Sequence, residues 1–206
     1  MIEKLLRPVG YLFHPLLMAT YSCGILYFIF PQIFSPISSD AIFNFIGVVF
    51  LTTFIIPLIS ILFLRFTKKI SNLELSNKED RILPFLSITG FYVVSTYLFI
   101  SKLHVSRPMS VMMIVVTLLV GLILLISIRY KISVHAAGVW GTFGLFSALS
   151  IKYLNISMIG YLMAIVCVAG ITSYSRLYLE KHTPAEVWFG SFLGFILCFT
   201  GIYLFA

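Results

Sequence analysis

Apolar runs of about twenty residues recur along the chain between short polar segments, and a helix needs about 20 such residues to cross roughly 30 Å of hydrocarbon. The runs fall at about Val9 to Phe30, Phe43 to Phe63, Ile82 to Ile100, Met109 to Ile128, Ala136 to Ile151, Ile156 to Thr172 and Val187 to Phe205. They are continuous rather than alternating, so they predict helices and not barrel strands. The expected fold is all-α: a polytopic transmembrane helix bundle of about seven spans, with residues 1–206 as a single integral membrane domain. Prolines punctuate it. His14-Pro15 lies inside the first run, as a kink, a packing site or a functional histidine, and Pro57 interrupts the second. The fifth run is rich in small residues (Ala136, Ala137, Gly138, Gly141, Gly144). The seventh carries Gly190 and Gly194 four apart, a spacing that lets helices pack closely in lipid. The first run follows Glu3, Lys4 and Arg7 with no small-residue cleavage site, so it reads as a retained helix.

Composition narrows the class further. With 60% hydrophobic and 10% charged residues and a mean hydropathy of +1.07, the chain is not an ordinary soluble domain. A net charge of +7 would suggest nucleic acid in a soluble protein, but here the basic residues flank apolar helices. The positive-inside bias accounts for them, and no nucleic-acid partner is expected. The three cysteines, Cys23, Cys167 and Cys198, all lie within apolar runs, so neither a disulfide framework nor a metal cluster is implied.

The densest chemistry lies between the last two runs. Arg176, Glu180, Lys181, His182 and Glu186 fall within a short polar stretch that leads through Pro184 into the seventh run. Proline suits a first helical turn, so His182 should precede the helix and Glu186 lie one turn in. At that spacing a carboxylate can hold an imidazole in one tautomer. For any one of these residues the plainer reading is a loop whose charges avoid lipid.

Seven crossings place the N-terminus and the loops after spans two, four and six on one face. That face would gather Lys78 and Arg81, then Lys131, Ser133 and His135, then Arg176, His182 and Glu186. The loop with Lys102, His104 and Arg107 would lie opposite. Cations with two histidines and a steering carboxylate suit phosphate chemistry. The cluster face also collects 11 of the 14 lysines and arginines, which predicts the cytoplasmic side of a bacterial plasma membrane.

Ser175-Arg176-x5-His182-x3-Glu186-Val187-x2-Gly190-x3-Gly194 resembles the third signature of the type-2 phosphatidate phosphatase superfamily (lipid phosphatases and vanadium haloperoxidase-like proteins), with Glu186 where the family has Asp. Lys131-Ile-Ser133-Val-His135 resembles a reduced form of its second signature, Pro-Ser-Gly-His. His135 and His182 are 47 residues apart, enough for one hairpin of spans. For the first signature, Lys-x6-Arg-Pro, Arg107-Pro108 has the dipeptide, with Lys102 five residues before the Arg instead of seven, but falls on the opposite face. Lys78 and Arg81 have the expected side and a different spacing.

The resemblance implies a six-helix phosphatase-like core, and a metal-independent phosphatase with no cofactor acting on a lipid-linked phosphate or diphosphate among membrane lipids. His182 would attack phosphorus and form a phosphohistidine, with Glu186 fixing its other nitrogen. His135 would protonate the leaving group and then activate water. Arg176, Arg81, Lys78 and Lys131 would bind phosphate oxygens, with a hydrogen bond from Ser133. The extra methylene of Glu186 requires a shifted helix or a different rotamer to reach His182.

Two other classes fit part of the pattern. A prenyltransferase-like enzyme would need paired acidic motifs for magnesium, and only Glu79-Asp80 are adjacent. A non-catalytic relative, transporter or channel with a basic entrance would use the cations but not a histidine–carboxylate pair one turn apart. Neither lipid tail nor oligomeric state is encoded legibly.

Overall fold

The computed structural model describes residues 2–72, 79–154 and 158–206, and among them it is helical with no strand. Six helices are long and apolar enough to cross a membrane: Ser39–Phe66, Asp80–Ser101, Arg107–Ser127, Val134–Lys152, Met158–Tyr178 and Pro184–Phe205. The chain is thus an integral membrane protein by the length and apolarity of its helices, as the hydropathy pattern predicts.

The first predicted span differs. It is broken into α1 (Ile2–Leu12) and a second arm, Pro15–Ile29, in which a 3-10 turn (Pro15–Leu17) runs into α2 (Met18–Ile29); the two arms are bent by 44° and make a seventh crossing only if the pair counts as one span. Proline disfavours the helical region for the residue before it, and His14 is accordingly extended (φ −66°, ψ 134°). α1 is amphipathic, with Glu3, Lys4 and Arg7 on one exposed side and Ile2, Leu5 and Leu12 on another; Leu6 and Gly10 form its buried flank.

Pro57 acts otherwise than His14-Pro15. The helical run continues through α3 (Ile42–Phe50), a π turn (Leu51–Ile55) and α4 (Ile56–Phe66). The wider turn lies just ahead of the proline, where the ring would meet the carbonyl of Thr53.

Residue contacts divide the chain into two compact units, Ala19–Lys131 and Met1–Met18 with Ile132–Ala206. Within the first, α5 (Glu79–Ser101) is tied to α4 by the Ser60–Ser87 hydroxyl pair at 2.5 Å, and to α6 (Arg107–Ser127) by Thr96–Thr117 at 2.7 Å. Such hydroxyl pairs give adjacent membrane helices a directional contact that apolar packing lacks. Asp80 accepts from the Ser71 N–H at 3.1 Å and from the Ser71 hydroxyl, and Arg81 beside it is buried.

The second unit consists of α1, α7 (Val134–Lys152), α8 (Met158–Tyr178) and α9 (Pro184–Phe205). Its tightest seam joins α7 and α9 through glycines. A Cβ on Gly190 would stand 2.6 Å from the Ser133 carbonyl oxygen, and one on Gly194 would strike the Ala137 carbonyl. A Cβ on Gly144 would stand 2.5 Å from the Phe195 carbonyl oxygen. Backbone therefore meets backbone along this seam, which is what the small-residue spacing predicts. Trp140 Nε1–H donates to Ser173 Oγ at 3.1 Å between α7 and α8, and the Ser175 hydroxyl donates to the Leu6 carbonyl at 3.0 Å between α8 and α1.

Candidate active site

The motif between α8 and α9 is built by two helix ends that meet. α8 closes with Glu180 in the left-handed region (φ 52°); its N–H donates to the Leu177 carbonyl at 3.0 Å, and the Lys181 N–H donates to the Arg176 carbonyl at 3.1 Å. These two bonds make a Schellman cap, with glutamate where glycine is usual. The His182 N–H donates to the same Arg176 carbonyl at 3.3 Å. The five-residue interval between Arg176 and His182 thus has a structural cause: one backbone oxygen ties the histidine to the arginine.

α9 then opens on a capping box. Thr183 is the N-cap, Pro184 occupies the first turn, and the Glu186 N–H donates to Thr183 Oγ1 at 3.4 Å. Glu186 reaches back, so that Oε2 accepts from the Thr183 N–H at 3.3 Å and from His182 Nδ1–H at 2.7 Å. A capping box needs the longer acid at this position. The extra methylene, expected to demand a shifted helix or rotamer, is what lets one carboxylate oxygen serve both donors. Because a carboxylate only accepts, Nδ1 of His182 carries a proton, and in the neutral ring Nε2 holds the lone pair. The two side chains are 14% and 13% exposed, so the pair is largely shielded from water.

α7 brings the second histidine. Ser133 is its N-cap and fully buried: Oγ accepts from the Ala136 N–H at 3.4 Å, while its own N–H donates to the Glu186 carbonyl at 3.2 Å. Of the two groups from which Ser133 could give phosphate a hydrogen bond, hydroxyl or N–H, the N–H is thus engaged in joining the first turns of α7 and α9. Two residues on, His135 Nε2 lies 3.1 Å from the Gly10 carbonyl oxygen. A carbonyl only accepts, so Nε2 of His135 carries a proton and Nδ1 is the nitrogen left to exchange one.

Arg176 completes the cluster. Its Nη2–H donates to Ser175 Oγ at 3.2 Å, and its guanidinium lies against Gly10, where a Cβ would stand 2.8 Å from Cζ. His135 and Arg176 therefore meet at Gly10, one on its carbonyl and the other on its α-carbon.

His14 was singled out in the sequence only as a residue of open role. Its Nδ1 accepts from the Leu16 N–H at 3.3 Å, and its ring stands edge-on to His135, with centroids 5.5 Å apart and planes at 81°.

His182, Glu186, His135, Ser133 and Arg176 are therefore brought together within one unit. Arg81 and Lys131 belong to the other unit, Arg81 buried in the first turn of α5 and Lys131 half-exposed ahead of α7; Lys78 lies outside the described residues. Sequence reasoning missed Gly10, the capping box and the α8 cap. Only the capping box has a sequence signature, Thr183-x-x-Glu186. Among the described residues no group of three or more His, Cys, Asp or Glu is placed to hold a metal ion.

No protein-family model, curated protein or solved structure matches the chain. What the unit holds is a histidine bonded to a carboxylate, a second histidine on the Gly10 carbonyl, and a guanidinium against the same glycine.

Proposed function

We propose that this protein is a membrane-embedded phosphatase that hydrolyses a lipid-linked phosphate or diphosphate through a phosphohistidine on His182. The observation that carries the reading is the His182–Glu186 contact at 2.7 Å, in a unit where His135 and Arg176 also meet at Gly10. It supplies an oriented nucleophile, an acid–base partner and a cation for the transferring phosphoryl group.

In the first step the Nε2 lone pair of His182 bonds to phosphorus and the bond to the leaving oxygen breaks. The imidazolium form of His135 gives its Nδ1 proton to that oxygen, while Nε2–H stays on the Gly10 carbonyl. Glu186 offsets the positive charge that grows on the His182 ring, and Arg176 offsets the negative charge on the phosphoryl oxygens. In the second step Nδ1 of His135 takes a proton from water, the resulting hydroxide oxygen bonds to phosphorus, and the N–P bond breaks. Inorganic phosphate leaves with His182 restored.

A site at the membrane surface beside apolar helices suits a substrate that arrives laterally from the bilayer. The basic residues flanking the spans support a cytoplasmic-facing site in a bacterial plasma membrane. Purified protein should release phosphate from short-chain phosphatidate or farnesyl diphosphate in excess chelator. His182→Ala should abolish release, and His135→Ala should reduce it by about 100-fold or more. Turnover that survives His182→Ala overturns the assignment.

One observation favours a second reading. The capping box gives Glu186 a structural role whether or not His182 reacts. A non-catalytic relative that binds anions through Arg176 would keep the same helix ends, and it would bind phosphate without releasing it from an ester.

A further inference from the structure

The break in the first apolar run has a consequence at the site. Because the chain leaves the helix at His14, the Gly10 carbonyl belongs to the last turn of α1, where carbonyls lack an intrahelical donor. The His135 ring supplies one, with Nε2 at 3.1 Å. The same residue meets Arg176 from its other side. A Cβ there would stand 2.8 Å from Cζ and 2.9 Å from Nη1 of Arg176, and it would collide with Nη2. These are the nearest atoms a Cβ would meet, and all belong to the end of one long side chain.

We propose that Gly10 is a positioning residue for the reaction: its bare α-carbon seats the Arg176 guanidinium, and its carbonyl fixes which nitrogen of His135 exchanges protons. The role rests on the phosphatase reading above, although the seat itself does not. Glycine in a helix is ordinarily a cost in stability relative to alanine. At this position alanine is sterically admissible once the arginine swings away. The glycine thus keeps the cation in place rather than keeping the helices together. The Leu6 carbonyl, one turn earlier, accepts from the Ser175 hydroxyl, so α1 also holds the residue that Arg176 contacts.

The test is a double-mutant cycle on the full-length protein in nanodiscs, using Gly10→Ala, Arg176→Ala and the pair, with Arg176→Gln as the alternative should the alanine variant not fold. Gly10→Ala is expected to fold normally and to lower kcat/KM for short-chain phosphatidate by about 100-fold, the scale of a catalytic group displaced by about 1 Å. In the Arg176→Ala background it should change the remaining rate by no more than about 2-fold. Gly10→Ala activity near wild type, or losses that multiply in the double variant, overturns the proposal. Thermal stability provides a readout independent of turnover. Gly10→Ala should raise Tm more when residue 176 is alanine than when it is arginine, and equal shifts in both backgrounds mean that no seat exists. A wild-type protein that turns over neither phosphatidate nor farnesyl diphosphate would remove the phosphatase reading, and the positioning role with it, while the stability cycle still decided the contact.

Discussion

Glu186→Gln separates the two jobs of Glu186. Glutamine is also accepted at this position of a capping box, so its carbonyl can still take the Thr183 N–H and α9 should start where it does now. What changes is the contact with His182 Nδ1–H, now 2.7 Å from a carboxylate oxygen. A hydrogen bond to a charged group contributes about 1.5–3 kcal/mol and a neutral one about 0.5–1.5 kcal/mol. The difference, about 1–1.5 kcal/mol, matters most as the His182 ring becomes cationic on attacking phosphorus. At about 1.4 kcal/mol per factor of ten, kcat should fall roughly 5- to 12-fold with little change in thermal stability. Glu186→Ala removes the acceptor altogether, so it should lose more activity and about 0.5–2 kcal/mol of stability, the usual cost of losing a cap. The assay is phosphate release from short-chain phosphatidate under saturation, paired with a thermal melt of each variant. Full activity in Glu186→Gln would mean that the carboxylate only caps the helix.

Other variants probe the frame around the site. Gly194→Val places a branched side chain against the Ala137 carbonyl and should force α7 and α9 apart at a cost of about 1–3 kcal/mol, read as a lower Tm with activity lost in parallel. Glu180→Gly relieves a left-handed conformation that costs a side-chain-bearing residue about 1–2 kcal/mol, offset by about 0.5–1 kcal/mol of glycine entropy. A melt should therefore show a small gain, with kcat unchanged. His14→Asn keeps a side-chain acceptor for the Leu16 N–H while removing the edge contact with His135, so it should leave the melt in place and lower kcat.

The parts of this molecule legible in the sequence are those written in local patterns. Continuous apolar runs announced the spans, and the Gly190–Gly194 spacing announced a close helix seam. The His182–Glu186 contact followed from one-turn spacing after a proline, and the capping box was present to be read in Thr183 and Glu186. What could not be read depends on partners remote in sequence or on backbone geometry without a signature residue. Gly10 looks like any membrane-helix glycine until Arg176 and His135 arrive on α8 and α7. The α8 cap is hidden because its left-handed position holds glutamate instead of glycine. The first span looked continuous because hydropathy does not register a bend, although His14-Pro15 marked where one could fall. The division of the chain into two compact units has no marker in composition.

The central claim is a covalent phosphoryl group on His182, and trapping it is the most direct test. Protein mixed with phosphatidate carrying a labelled phosphate, quenched in alkali within one turnover, should retain label that is stable in base and lost in acid. The label should map to the peptide containing His182 and be absent from His182→Ala. Label on another residue, or steady turnover in His182→Ala, would contradict the account.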